Sequence, residues 1–214
     1  MDLVDLHHSN FGRHQISTGQ FIRSNEFPGE KGDIIYHKNL PTLNCYYELY
    51  SVLNYLPESV FEIGVSEGGS LVLWSELFNC TVAGVDHDIW NLSHEFIGYA
   101  TSHDVTVIHA DLHQLDIIES SLSRLFGDSG PIDLIIDDGT HTIEPISFNF
   151  KSHYGKLSNR GLYVIEDWYA LHPIHREELL LFLIETTKEM GENSIIRKFP
   201  SMIVINKTVN ERIT

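Results

Sequence analysis

Basic residues are scarce in this chain: 14 Lys and Arg stand against 30 Asp and Glu, for a formal net charge of −16. So negative a surface repels polyanions, and phosphate binding depends on Lys and Arg, so nucleic acid and anionic membranes are excluded as expected partners. Cysteine is nearly absent. Cys45 and Cys80 lie far apart and form no CxxC spacing, which argues against a disulfide and leaves two small buried side chains. No stretch of about 18 apolar residues occurs, so no membrane span is expected. The amino end, Met1 to His8, lacks the basic start and apolar run of a signal peptide, and the expected compartment is the cytoplasm. Internal repeats, low-complexity tracts and linkers are missing too. The thirteen histidines are scattered. His172 and His175 stand at i, i+3, but no third ligand accompanies them, so they are read as surface residues.

What is present is one domain's worth of alternating pattern. The chain has 214 residues, enough for one good core and too few for two typical domains. Residues 1–40 are polar, with Pro28-Gly29 as a turn signal, and read as irregular or short helical structure packed on the main domain. A helix is expected at about residues 43–56 from the spacing of Leu43, Tyr46, Tyr47, Tyr50 and Leu53, with Pro57 ending it. Strands are expected at Ser59–Ile63, Thr81–Val85, Val105–His109, Leu134–Ile136 and Leu162–Ile165, with helices between them at roughly 69–78, 90–101, 113–126 and 142–156. Such alternation implies a mainly parallel sheet with right-handed crossovers. A helix at about 173–190 and two strands, Ser194–Phe199 and Met202–Ile205, follow. Only Pro200-Ser201 separates these two, so they pair as an antiparallel hairpin.

Two acidic clusters end buried strands: Asp137-Asp138-Gly139-Thr140-His141 and, 28 positions beyond Asp138, Glu166-Asp167. In an open α/β sheet ligands bind beyond the carboxyl ends of the strands, so these carboxylates meet in one crevice. Carboxylates gathered there repel one another unless a cation joins them. Mg²⁺ prefers oxygen ligands and keeps open positions, so Asp138, Glu166 and Asp167 would suit it. Its task would be to hold a substrate hydroxyl and lower its pKa, with His141 placed to take the proton. The blander reading makes one carboxylate a helix cap and the others solvated loop charges. Asp137 is given to capping or to orienting its neighbours.

A glycine-rich turn, Glu62-Ile63-Gly64-Val65-Ser66-Glu67-Gly68-Gly69-Ser70, follows the first main strand and opens a helix. Its spacing is not GxGxxG and it has no Walker lysine, which excludes a triphosphate cradle. It resembles the E-x-G-x-x-x-G-x-S signature by which class I methyltransferases bind S-adenosylmethionine. The resemblance implies a Rossmann-like, doubly wound seven-stranded sheet, mostly parallel with an antiparallel last strand. It makes Glu62, Gly64, Ser66, Gly68 and Ser70 cofactor-binding residues, puts Asp86 on the ribose hydroxyls and Asp111 near the adenine amino group, and counts Asp137 on the cofactor side. Asp-Asp-Gly-Thr-His followed by Tyr-Val-Ile-Glu-Asp-Trp is similar to the metal-dependent sugar O-methyltransferases of macrolide pathways and to proteins labelled cephalosporin hydroxylases. That likeness implies Mg²⁺ on Asp138, Glu166 and Asp167, and His141 as general base. Catechol methyltransferases use a Lys as base, so His141 favours the sugar-methylating branch.

The resemblance covers roughly residues 57–207. Residues 1–45 are expected to form a lid or oligomerisation segment, the analogy with similar enzymes implying a homo-oligomer, and 46–214 the catalytic domain. The expected partner is a small-molecule acceptor. Trp168 and Tyr169 are read as an acceptor wall or as packing, and Trp90 and Tyr99 as flanks for the adenine. Two rivals stay open: the same fold acting on a catechol-like or antibiotic scaffold, and a binding protein that holds the cofactor without transfer.

Overall fold

The computed structural model describes residues 14–26, 30–53, 55–128, 130–191 and 193–208. The Met1–His8 start and the Pro28-Gly29 turn lie outside these residues. Seven strands form the main sheet: β4 (Ser59–Ile63), β5 (Thr81–Asp86), β6 (Val105–His109), β7 (Ile132–Asp137), β8 (Leu157–Glu166), β9 (Asn193–Lys198) and β10 (Met202–Thr208). Their order is β6-β5-β4-β7-β8-β10-β9, and β10 runs antiparallel to both of its neighbours, β8 and β9. This is the expected layout, including the β9–β10 hairpin. β4 is buried at every position, as a parallel strand covered on both faces must be. Strand order reverses between β4 and β7, which opens a crevice beyond their carboxyl ends.

The amino-terminal part corrects the sequence reading. It forms a second sheet of β1 (His14–Gln15), β2 (Phe21–Ser24) and β3 (Ile34–Tyr36), with β1–β2 antiparallel and β2–β3 parallel. The strands are too short for a period to stand out among polar residues. Helix α1 (Leu40–Val52) begins three residues earlier than the apolar spacing suggested. Asn39 caps it, accepting the Thr42 N–H at 2.9 Å, and Pro41 sits in the first turn, a pairing that favours a helix start. The expected 45/46 boundary falls inside α1.

Five further helices cover the main sheet: α2 (Gly69–Phe78), α3 (His94–Ala100), α4 (Leu115–Phe126), α5 (Ile143–His153) and α6 (Pro173–Glu189). Side chains alternate across the sheet. Val60, Leu134, Ile136, Leu162 and Val164 face α1, α2 and the small amino-terminal sheet, whose Ile22, Ile34 and Tyr36 join the same core. Phe61, Ile63, Ile135, Tyr163 and Ile165 face the other way, onto α5 and α6. Gly69 shows how closely the small sheet docks: a Cβ there would lie 1.8 Å from the Ile35 carbonyl oxygen. Among the described residues no helix is long and apolar enough to cross a membrane.

His153, at the end of α5, is fully buried against Phe61, and neither ring nitrogen has a hydrogen-bond partner. Burial pushes its pKa down to about 4. The folded state therefore holds a neutral imidazole while the unfolded chain protonates near pH 6.5. Stability is full above pH 6.5 and is lost as pH falls from 6.5 towards 4, by of order 3 kcal/mol. Denaturant melts across this window should show the loss, and His153→Phe should flatten it. A His153→Phe curve as steep as that of the parent chain would contradict the assignment.

Candidate active site

The ends of β4, β7 and β8 are brought level by register. Ile63 pairs with Asp137, and Asp137 with Ile165. One step further, Gly64, Asp138 and Glu166 stand side by side, and Asp138 N–H donates to the Ile63 carbonyl at 2.9 Å. Gly64 has φ 91°, a backbone that favours glycine. A Cβ there would lie 2.5 Å from the Asp138 carbonyl oxygen. The glycine turn and the first acidic cluster are therefore packed backbone to backbone.

A cavity of about 250 Å³ opens at this point. Of the residues the sequence assigned to the cofactor, Gly64, Ser66, Ser70 and Asp86 line it, together with Asp138 and Thr140. Asp86 organises the turn: its Oδ2 accepts the N–H groups of Val65 (2.8 Å) and Ser66 (3.2 Å), and its Oδ1 that of Asp88 (3.0 Å). The other expected cofactor residues stand elsewhere. Gly68 lies against the Phe96 ring, which a Cβ would meet at 2.4 Å, and its φ of 88° starts α2. Asp111 is well exposed and accepts from its own loop, from His113 N–H at 2.9 Å and from the His113 ring at 2.8 Å. Tyr99 is buried, donating to Glu76 at 2.8 Å, and Trp90 is 87% exposed. Trp168 donates to the Phe199 carbonyl and packs under Arg176, whereas Tyr169 is exposed.

Strand alternation decides the fate of three carboxylates. Asp137 shares a face with Ile135 and turns into the α5 side of the core. There it is buried, accepting from Asn149 (3.1 Å) and Tyr163 (3.3 Å), and burial raises its pKa to about 7. It does not line the cavity and lies beneath the loop that does. Glu62 shares a face with Val60 and points the opposite way. It is completely buried and accepts from Trp74 Nε1 at 3.2 Å. Glu166 follows Val164 onto that same face and accepts the Tyr46 hydroxyl at 2.7 Å.

Between them lies a residue that the sequence reading missed. Lys38, from the loop between β3 and α1, is 2% exposed. Its Nζ stands 3.0 Å from Glu62 Oε1, 2.6 Å from Asp138 Oδ2 and 3.0 Å from Glu166 Oε1. Burial pulls the ammonium pKa down, but the charges of Asp138, Glu166 and Glu62 outweigh it and hold Lys38 protonated. Burial also raises Glu62 and Glu166, with Lys38 pulling both back. One ammonium faces a cluster that has too little positive charge.

Asp167 takes a left-handed backbone, φ 49°, which Asp tolerates better than most residues. Its carboxylate joins Asp138 and His141, and ligand atoms of these three lie within 4.8 Å of one another. His141 Nε2 is 3.9 Å from Asp167 Oδ2. Burial, then the charge of Asp138, raises the Asp167 pKa. Two hard carboxylates, partly exposed beside an imidazole, fit a divalent cation. The expected trio of Asp138, Glu166 and Asp167 spans two adjacent groups that share Asp138: one with His141 and Asp167, the other with Glu62 and Glu166.

The fold is that of class I methyltransferases. No protein-family model matches the chain. Among curated proteins it is similar to demethylmacrocin O-methyltransferase of Streptomyces fradiae, 31% identical over 122 residues, covering 53% of this chain and 28% of that one. Mycinamicin VI 2''-O-methyltransferase of Micromonospora griseorubida is 31% identical over 123 residues, with the same two coverages. The matched segment thus spans well under half the length of these relatives. Among solved structures, MycE methyltransferase of the mycinamycin pathway, in complex with Mg, SAH and mycinamycin VI, superposes with a TM-score of 0.60 at 21% identity, over 84% of this chain and 52% of that one. A putative caffeoyl-CoA O-methyltransferase from Staphylococcus aureus gives 0.56 at 15% identity, over 86% and 87%.

Proposed function

We propose that the chain is an S-adenosylmethionine- and Mg²⁺-dependent O-methyltransferase that methylates a hydroxyl of a sugar or natural-product scaffold. The observation that carries this reading is the adjacency of Gly64 and Asp138, which sets a cofactor turn and an acidic, imidazole-bearing crevice in contact. The sugar O-methyltransferases among the relatives, and the Mg and SAH of the MycE complexes, support it.

In this reading Gly64, Ser66, Ser70 and Asp86 would hold the methyl donor, and Asp138, Glu166 and Asp167 would take the Mg²⁺. A bound Mg²⁺ supplies Lewis acidity that lowers the pKa of the acceptor hydroxyl. S-adenosylmethionine bound there would supply the electrophilic methyl group, and His141 Nε2 would take the proton from the acceptor hydroxyl. The protein's part is mostly alignment and charge control. Tyr169, beside Asp167, is a wall for the acceptor.

Calorimetry with S-adenosylmethionine tests the donor site: Asp86→Ala should weaken binding at least tenfold, since the turn loses the acceptor of two N–H groups. His141→Ala should lower kcat about 10²- to 10⁴-fold with donor affinity unchanged. A chain that binds the donor but transfers no methyl group to any hydroxylated sugar or phenol is a binding protein, and the proposal falls.

A further inference from the structure

We propose that Lys38 and Tyr46 are positioning residues of the cation site: they hold one oxygen of Asp138 and one of Glu166 from behind, so that each ligand presents its other oxygen to the ion. This rests on the Mg²⁺ reading above and keeps its three ligands. The ammonium of Lys38 has three donors, and Glu62 Oε1, Asp138 Oδ2 and Glu166 Oε1 stand 3.0, 2.6 and 3.0 Å from it. The Tyr46 hydroxyl donates to the same Glu166 Oε1 at 2.7 Å. Oδ2 of Asp138 and Oε1 of Glu166 are thereby committed. Oδ1 of the first and Oε2 of the second are the oxygens left to an ion.

Glu62 anchors this clamp. Its Oε1 is on Lys38, its Oε2 accepts Trp74 Nε1 at 3.2 Å, and the side chain is completely buried. The Trp74 ring backs both clamping groups, 4.7 Å from the Tyr46 ring and 5.8 Å from the Lys38 ammonium. Neither group can swing away without breaking that packing. Carboxylates that bind a metal are as a rule hydrogen-bonded in turn, because the bond fixes which lone pairs face the ion. Tyr50, one turn further along α1, gives the contrast: it is buried too, but its hydroxyl has no partner. Lys38 precedes α1 and Tyr46 lies within it, so the amino-terminal part of the chain shapes a site whose ligands stand at strand ends.

Mn²⁺ is the probe, followed by calorimetry and electron paramagnetic resonance on protein shown to be folded by circular dichroism. Tyr46→Phe deletes one hydroxyl, keeps the ring, and should weaken Mn²⁺ binding about 10- to 100-fold, the effect of losing an outer partner. Tyr50→Phe removes a buried but unpartnered hydroxyl from the same helix and should leave the affinity within about twofold. Lys38→Met separates grip from charge. A lysine that only offset charge would, once removed, let the ion bind more tightly, whereas loss of the clamp should weaken binding by at least tenfold. Unchanged affinity in Tyr46→Phe, an equal loss in Tyr50→Phe, or tighter binding in Lys38→Met overturns the proposal while the metal reading stands. Crystals of the unaltered chain grown with Mn²⁺ decide the matter even where variants fail to fold. Asp138 Oδ1 and Glu166 Oε2 should be on the ion, with Lys38 and Tyr46 still on the other oxygens. Coordination through Glu166 Oε1, or Lys38 displaced from the cluster, refutes the clamp. If the unaltered chain binds no Mn²⁺, the metal reading itself fails, and the clamp with it.

Discussion

Asp138→Ala is expected to lower methyl transfer about 10³-fold, the equivalent of roughly 4 kcal/mol of transition-state stabilisation, and excess Mg²⁺ should not rescue it. The residue stands where three demands meet. It is level with Gly64 and Glu166 at the sheet's switch point, it takes the shortest contact of Lys38 at 2.6 Å, and it is the carboxylate common to both acidic groups of the crevice. Its loss removes a ligand and leaves the Lys38 ammonium with Glu62 and Glu166 alone. Asp138→Asn keeps the size of the side chain and separates charge from packing. Donor affinity, measured by calorimetry, should stay within about threefold in both variants, since the donor residues lie in the turn after β4, at the start of α2 and at the end of β5. EDTA should reproduce the defect in the unaltered chain. Transfer that persists in EDTA and in Asp138→Ala would refute cation-assisted chemistry.

Gly64→Ala should damage the two sites at once. The left-handed backbone alone costs a Cβ-bearing residue about 1–2 kcal/mol. The added carbon would also meet the Asp138 carbonyl oxygen at 2.5 Å and its carbon at 2.8 Å, and both are backbone atoms of a neighbouring strand end. The ends of β4 and β7 would have to part. A total cost of about 3 kcal/mol predicts a fall in Tm of roughly 6–12 °C, with weaker binding of both S-adenosylmethionine and Mn²⁺. Gly98→Ala is the matched control. A Cβ there meets nothing within 4 Å, and the position is inside helix α3, so alanine should be neutral or stabilise by up to about 1 kcal/mol. Equal melting of the two variants would show that the Gly64–Asp138 contact does not constrain the crevice.

Much of the fold was legible because its signals are local. Buried β-branched runs alternate with 3.6-residue periods, and a Pro200-Ser201 break marks the final hairpin. The glycine turn and the carboxylates after β7 and β8 could be placed for the same reason, since a strand end is a position along the chain. Strand parity also carried information that the sequence reading did not use. Asp137 is two residues from Ile135, and Glu62 two from Val60, so their opposite faces were implicit once the inward residues of each strand were known.

Other features had no local trace. Lys38 reads as one basic residue in a polar stretch, and its partners lie 24, 100 and 128 positions away. The short strands before it carry too few residues for a period. Local propensity and side-chain period, acting over neighbouring residues, determined from sequence alone the doubly wound sheet, the turn and the set of carboxylates. The tertiary structure decided which carboxylates face one another, which is buried with an ammonium and which is left open to an ion. Those relations depend on register between strands and on the docking of the amino-terminal sheet, and a linear chain records neither.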